Sequence, residues 1–164
     1  MKNAVYCLLV MTLTTHTFIG AVLAKMTGNP LLAFALGFAT HYLVDIVPHG
    51  DNRLSENFRV KKKKRKEIAA FLMVDACVAI FFVLLLANTR DIESMRTFTW
   101  GIVGAILPDL LVGLYDLTHS RLLRWNYRLH FFFHDLLIRK RGDVPLYYSL
   151  LAQMVIIAYL QTKL

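Results

Sequence analysis

The sequence predicts an all-helical, polytopic membrane bundle: about five transmembrane helices plus one amphipathic helix at the cytoplasmic interface. Three observations predict it. Of the 164 residues, 57% are hydrophobic and the mean hydropathy is +0.50, more apolar than a soluble domain of this size. The apolar residues come in long blocks, which a soluble core does not require. The cations cluster between those blocks. Residues 1–164 therefore read as a single integral membrane domain.

Five segments are long enough, or nearly so, to cross a bilayer, which takes ~20 apolar residues. They run from about Ala4 to Leu23, Leu31 to Val47, Ile68 to Ala87, Thr97 to Leu117 and Pro145 to Gln161. The second and fifth are short. The first follows Lys2 as a secretory signal would, but its apolar run is too long. It also carries Thr12, Thr14, Thr15, His16 and Thr17, and reads as a mature helix.

Charge sets the orientation. The net charge is +8, and eight of the 19 cations lie between the second and third segments: Arg53, Arg59, Lys61, Lys62, Lys63, Lys64, Arg65 and Lys66. Six more, Arg121, Arg124, Arg128, Arg139, Lys140 and Arg141, lie between the fourth and fifth. The other side holds Lys25, Arg90 and Arg96, with Lys163 at the end. The positive-inside rule puts the N-terminus, the basic loop 49–66 and the interfacial helix 120–140 in the cytoplasm. The run Lys61–Lys66 reads as topogenic charge attracted to anionic lipid. It can also serve an anionic lipid substrate. No aromatic residues interleave with it, so nucleic acid is not an expected partner. Cys7 and Cys77 are isolated in apolar segments and read as buried thiols. There is no phosphate-binding or dinucleotide fingerprint, no internal repeat, and no serine in a Gly-x-Ser-x-Gly turn.

Ionisable side chains inside lipid need a partner, a proton or a metal. The second segment contains His41, Asp45 and His49 at four-residue steps. Each step rotates by about 40° on a helix, so the three start one stripe. Pro48 should end or bend the helix and let His49 swing inward from the turn. Asp51 follows Gly50 at the membrane surface, as a carboxylate behind the ligands, a solvated residue or itself a ligand. His16 lies past the middle of the first helix. Asp75 interrupts the third, to hold a histidine ring or carry a proton. Asp109 follows Pro108 directly in the fourth, where a kink frees backbone carbonyls.

The stretch from Arg121 to Arg139 separates its charges. If helical, Arg121, Arg124, Arg128, Asp135 and Arg139 fall within about 60° of one another. His130 and His134 fall on nearly the opposite side, toward protein or lipid. Trp125 and Tyr127 suit the interfacial belt. Most of the candidates share a depth and a side, opening toward the cytoplasm.

Several histidines and aspartates without cysteine favour zinc, with manganese or iron as alternatives. A His-x-x-x-Asp pair and a His-x-x-x-His pair, helped by Asp109 and His16, supply ligands for one ion. The same set offers donors for two ions at ~3.5–4 Å as an alternative. Water activated there can attack a phosphoester, with Asp51 or Asp75 as proton acceptor.

The strings Thr15-His16-x-x-x-Gly20, Asn29-Pro30-Leu31, His41-x-x-x-Asp45-x-x-Pro48-His49-x-Asp51 and Leu107-Pro108-Asp109 resemble the small membrane-bound metal-dependent hydrolases. These include the LexA-binding inner-membrane type. They are more distantly similar to zinc-dependent phospholipase C and related single-strand nucleases. The resemblance implies a prokaryotic inner-membrane protein with His16, His41, Asp45 and Asp109 as metal ligands, and His49 matching the histidine after a proline. The rival expectation is a metal-ion or proton transporter using the same residues. A third is a non-catalytic protein keeping a structural metal. The oligomeric state is not legible.

Overall fold

The computed structural model describes residues 12–49 and 65–164. Among them every regular element is helical and no strand occurs. The elements are α1 (Leu13–Thr27), α2 (Pro30–Asp45), α3 (Arg65–Thr89), α4 (Met95–Thr118), a 3-10 turn (Arg121–Leu123), α5 (Arg124–Arg141) and α6 (Leu146–Gln161). Asp51, Cys7 and Lys61 to Lys64 lie outside the described residues.

Local chemistry sets most of the boundaries. Thr12 caps α1 by accepting from the Thr15 amide at 3.2 Å. Gly28, at φ 60°, ends it in the left-handed conformation. Asn29 caps α2, accepting from the amides of Leu31 and Leu32 at 3.0 and 3.1 Å, with Pro30 in the first turn. The helix stops at Asp45, three residues before Pro48. Ser94 caps α4, and His119, at φ 52°, closes it.

Two helical stretches are long and apolar enough to cross a membrane: Leu72–Thr89 in α3 and Met95–Thr118, all of α4. They coincide with the third and fourth expected spans. The stretches expected as the second and fifth spans form only shorter apolar helices, α2 and α6, 16 residues each. That is about 24 Å at helical rise, against ~30 Å of hydrocarbon. The first expected span begins at Ala4, outside the described residues, and its described part is α1.

Helix α4 is sandwiched between α1 and α2 at backbone contact. A Cβ on Gly20 of α1 would stand 2.5 Å from the Gly101 carbonyl oxygen of α4. One on Gly37 of α2 would stand 2.6 Å from that same oxygen. Only hydrogen fits at either place. Beside this seam Phe18, Ala21, Leu86, Phe98 and Ile102 form an apolar cluster joining α1, α3 and α4. The outer face of α3 is bare: Met73, Val74, Ile80 and Phe81 are each at least 60% exposed. Cys77 lies exposed on that face beside Met73, Val74 and Phe81, not buried as the sequence suggested. An apolar neighbourhood in sequence does not say which side of a helix packs.

Candidate metal centre

Four ligand atoms from three helices converge. His41 and Asp45 come from one face of α2, Asp109 from α4 just after Pro108, and His130 from the buried stripe of α5. One atom from each lies within 4.8 Å of every other. His41 Nε2 is 3.3 Å from Asp45 Oδ2, 3.3 Å from His130 Nδ1 and 3.6 Å from Asp109 Oδ1. His130 Nδ1 is 3.6 Å from Asp45 Oδ2 and 3.8 Å from Asp109 Oδ1. Ligands bound at ~2.0–2.2 Å to a tetrahedral cation lie about 3.3–3.6 Å apart, so the donor set fits a four-coordinate divalent ion. Two carboxylates beside two neutral imidazoles carry a formal −2, which such an ion cancels.

Surrounding groups aim the ligands. His41 Nδ1–H donates to the Ala105 carbonyl of α4 at 2.8 Å, which turns Nε2 toward the centre. The other oxygen of Asp45, Oδ1, lies 3.1 Å from His16 Nε2 of α1. His16 stands outside the four-atom group, its ring 4.2 Å from that of His41, centroid to centroid. Burial pushes His130 below the usual histidine range, favouring the neutral form a ligand needs. The side chain of Asp109 is 21% exposed, the most open of the four.

A latch joins the three ligand-bearing helices beside their ligands. Tyr42 of α2 donates its hydroxyl to Asn126 Oδ1 of α5 at 2.6 Å. Asn126 Nδ2 donates to the Pro108 carbonyl of α4 at 2.9 Å. Tyr42 adjoins His41, Pro108 adjoins Asp109, and Asn126 lies one turn before His130. Asn126 is fully buried. The sequence reading passed over it, yet Asn126, His130, His134 and Ile138 recur every four residues and form the buried stripe of α5.

The remaining expected site residues lie elsewhere. Asp75 is not among the four. Its carboxylate accepts from the Leu13 amide at 2.6 Å and the Thr14 hydroxyl at 2.8 Å, capping α1. It holds no histidine ring in these bonds. Gln153 of α6 supports the same helix end, its Oε1 accepting from the Thr12 amide at 3.0 Å and the Thr15 hydroxyl at 3.1 Å. His49 and His134 pack on each other, with ring centroids 5.0 Å apart. No protein-family model, curated protein or solved structure matches the chain.

Proposed function

We propose that this protein is an integral membrane hydrolase. In this reading His41, Asp45, Asp109 and His130 hold a divalent cation, zinc by the donor set, and the substrate is a phosphoester, foremost a lipid headgroup, reached from the cytoplasmic side. The observation that carries the reading is the convergence of four ligand atoms from three helices within 4.8 Å of one another. Membrane insertion is supported by the two long apolar helices and the bare face of α3. Apolar burial gains little over lipid, so a membrane bundle must rely on close backbone approach and interhelical hydrogen bonds. The glycine seam and the Tyr42–Asn126–Pro108 latch are contacts of those kinds.

A divalent cation in this set would supply Lewis acidity and lower the pKa of water to roughly 7. The chain's own residues do the positioning. Ala105 and His16 orient His41 and Asp45. Asp109 makes the longer edges of the group and is the most exposed, so the site opens on its side; catalytic zinc sites keep one position for water or substrate. Asp75, whose carboxylate caps α1, is given no step in this reading. The cations of α5, among them Arg124 and Arg128, suit an anionic substrate.

Elemental analysis of detergent-purified protein tests the centre. Wild type should carry about one zinc-type ion here, lost in His41→Ala with Asp45→Ala. The loaded protein should then release phosphate or headgroup from phospholipid vesicles, and the variant should not. A wild type that binds no metal overturns the reading. Cation uptake into proteoliposomes without hydrolysis would replace it with a transporter.

A further inference from the structure

The outer surface of α5 carries two strips that the metal centre does not use. Asn126, His130, His134 and Ile138 are buried against the bundle. Projected down the helix, the exposed residues fall on the far side, in two adjoining arcs of about 60° each. Arg124, Arg128 and Arg139 fill one arc, and Trp125, Leu129 and Phe132 the other; all six are exposed. The sequence reading gave the histidine side of this helix to protein or lipid, and the other side to its charges. The structure buries the histidines and leaves a second apolar strip beside the arginines.

The corner before α5 continues both strips. Leu117, near the end of α4, and Leu122, in the 3-10 turn, are 84% and 82% exposed. Arg121 is exposed next to Leu122. Among the described residues no carboxylate pairs with Arg121, Arg124 or Arg128, whereas Arg139 is held by Asp135 at 3.1 Å.

Position and chemistry together select the occupant. The 24 residues of α4 cover about 36 Å at helical rise, against ~30 Å of hydrocarbon. As a span, α4 delivers Leu117 and the start of α5 to the level of the headgroups. A soluble polyanion would match the arginines and leave Leu117, Leu122 and Leu129 in water. An anionic lipid meets both strips. Its phosphate takes the guanidinium groups, and its acyl chains cover the leucines and the aromatic rings.

We propose that this face of α5 holds anionic phospholipid of the cytoplasmic leaflet. This rests on the membrane insertion proposed above, and not on the metal centre.

The two tryptophans, Trp100 and Trp125, report separately. Trp100→Phe leaves Trp125 alone, and bromine on an acyl chain quenches only a ring that it approaches closely. The full chain is reconstituted in vesicles of neutral phosphatidylcholine and anionic phosphatidylglycerol, with bromine on one lipid or the other at the same mole fraction. Brominated phosphatidylglycerol should quench Trp125 more strongly, reading a local enrichment of about fivefold or more, the worth of one arginine near an anionic surface. Arg121→Gln with Arg124→Gln and Arg128→Gln should bring the two lipids level, with circular dichroism checking the helices. Salt at about 1 M, where the screening length falls to ~3 Å, should weaken the preference with the arginines intact. Equal quenching by the two lipids overturns the inference, and so does a preference that survives the triple substitution. So does a Trp125 that bromine does not reach while Trp100, read alone in Trp125→Phe, is quenched. Quenching of neither ring overturns it together with the membrane insertion. The preference should persist in His41→Ala with Asp45→Ala, so a failed metal reading leaves it standing.

Discussion

Replacing Asn126 by alanine should weaken cation binding without removing any ligand. Asn126 makes two buried hydrogen bonds, at 2.6 Å from the Tyr42 hydroxyl and at 2.9 Å to the Pro108 carbonyl. Truncation strands the Tyr42 hydroxyl in a buried site and removes the side-chain bond to the Pro108 carbonyl, which lies inside α4. An unsatisfied buried group costs ~1–3 kcal/mol and a lost hydrogen bond ~0.5–1.5 kcal/mol, so the metal-free protein should lose about 1.5–4.5 kcal/mol. The partners adjoin His41 and Asp109, and Asn126 sets the turn that presents His130. Loosening such supporting contacts typically costs 10–100-fold in metal affinity, about 1.4–2.7 kcal/mol. Competition with a chromophoric zinc chelator reads the affinity, and thermal unfolding in detergent with and without zinc reads the stability. Tyr42→Phe breaks the same bond from the other end, so its cost should be non-additive with that of Asn126→Ala by at least 0.5 kcal/mol. Zinc affinity unchanged within twofold in a variant that keeps its helices would refute the latch.

Three further outcomes are expected. Gly101→Ala should lower the unfolding midpoint, because its methyl would meet the Gly20 carbonyl, and overpacking costs ~1–3 kcal/mol. Gly113→Ala, with nothing within 4 Å, should be neutral or stabilise by up to about 1 kcal/mol; equal effects at the two positions would contradict the seam. Asp75→Ala should cost about 1.5–3 kcal/mol in the same measurement while zinc affinity holds within threefold, since its bonds go to the start of α1. Burial depresses His130, so in metal-free protein its neutral form favours folding above the unfolded value of ~6.5. That contribution is lost as pH falls from ~6.5 through the folded value, and wild type should lose stability relative to His130→Gln between pH 7 and 5. A gap that widens over this range would show the imidazole to be held as the cation.

Much of the local structure could be read directly. Asn29-Pro30 predicts the start of α2, and Pro48 predicts that it ends or bends at Val47, two residues past its observed end at Asp45. The four-residue step from His41 to Asp45 puts both on one face, and the charge segregation of α5 puts His130 and His134 on the side away from its charges, which the packing shows to be buried. Other assignments were out of reach. Asp75 reads as a lone carboxylate in an apolar helix until α1 is seen to begin against it. Nothing in the first helix says that the His16 nitrogen meets the far oxygen of Asp45. Cys77 reads as buried until its side of α3 is found bare.

By itself, the sequence determined where helices start and stop and which side chains share a face. Caps, prolines and a 3.6-residue repeat act within a few positions of the chain. Only the tertiary structure decided which faces meet. His130 reaches His41 across 89 positions because α4 packs against α1 and α2 at the glycines, and the Asn126 bonds draw α5 onto that pair. The fit of backbone to backbone selects those contacts, and residue spacing along a single helix carries no record of it.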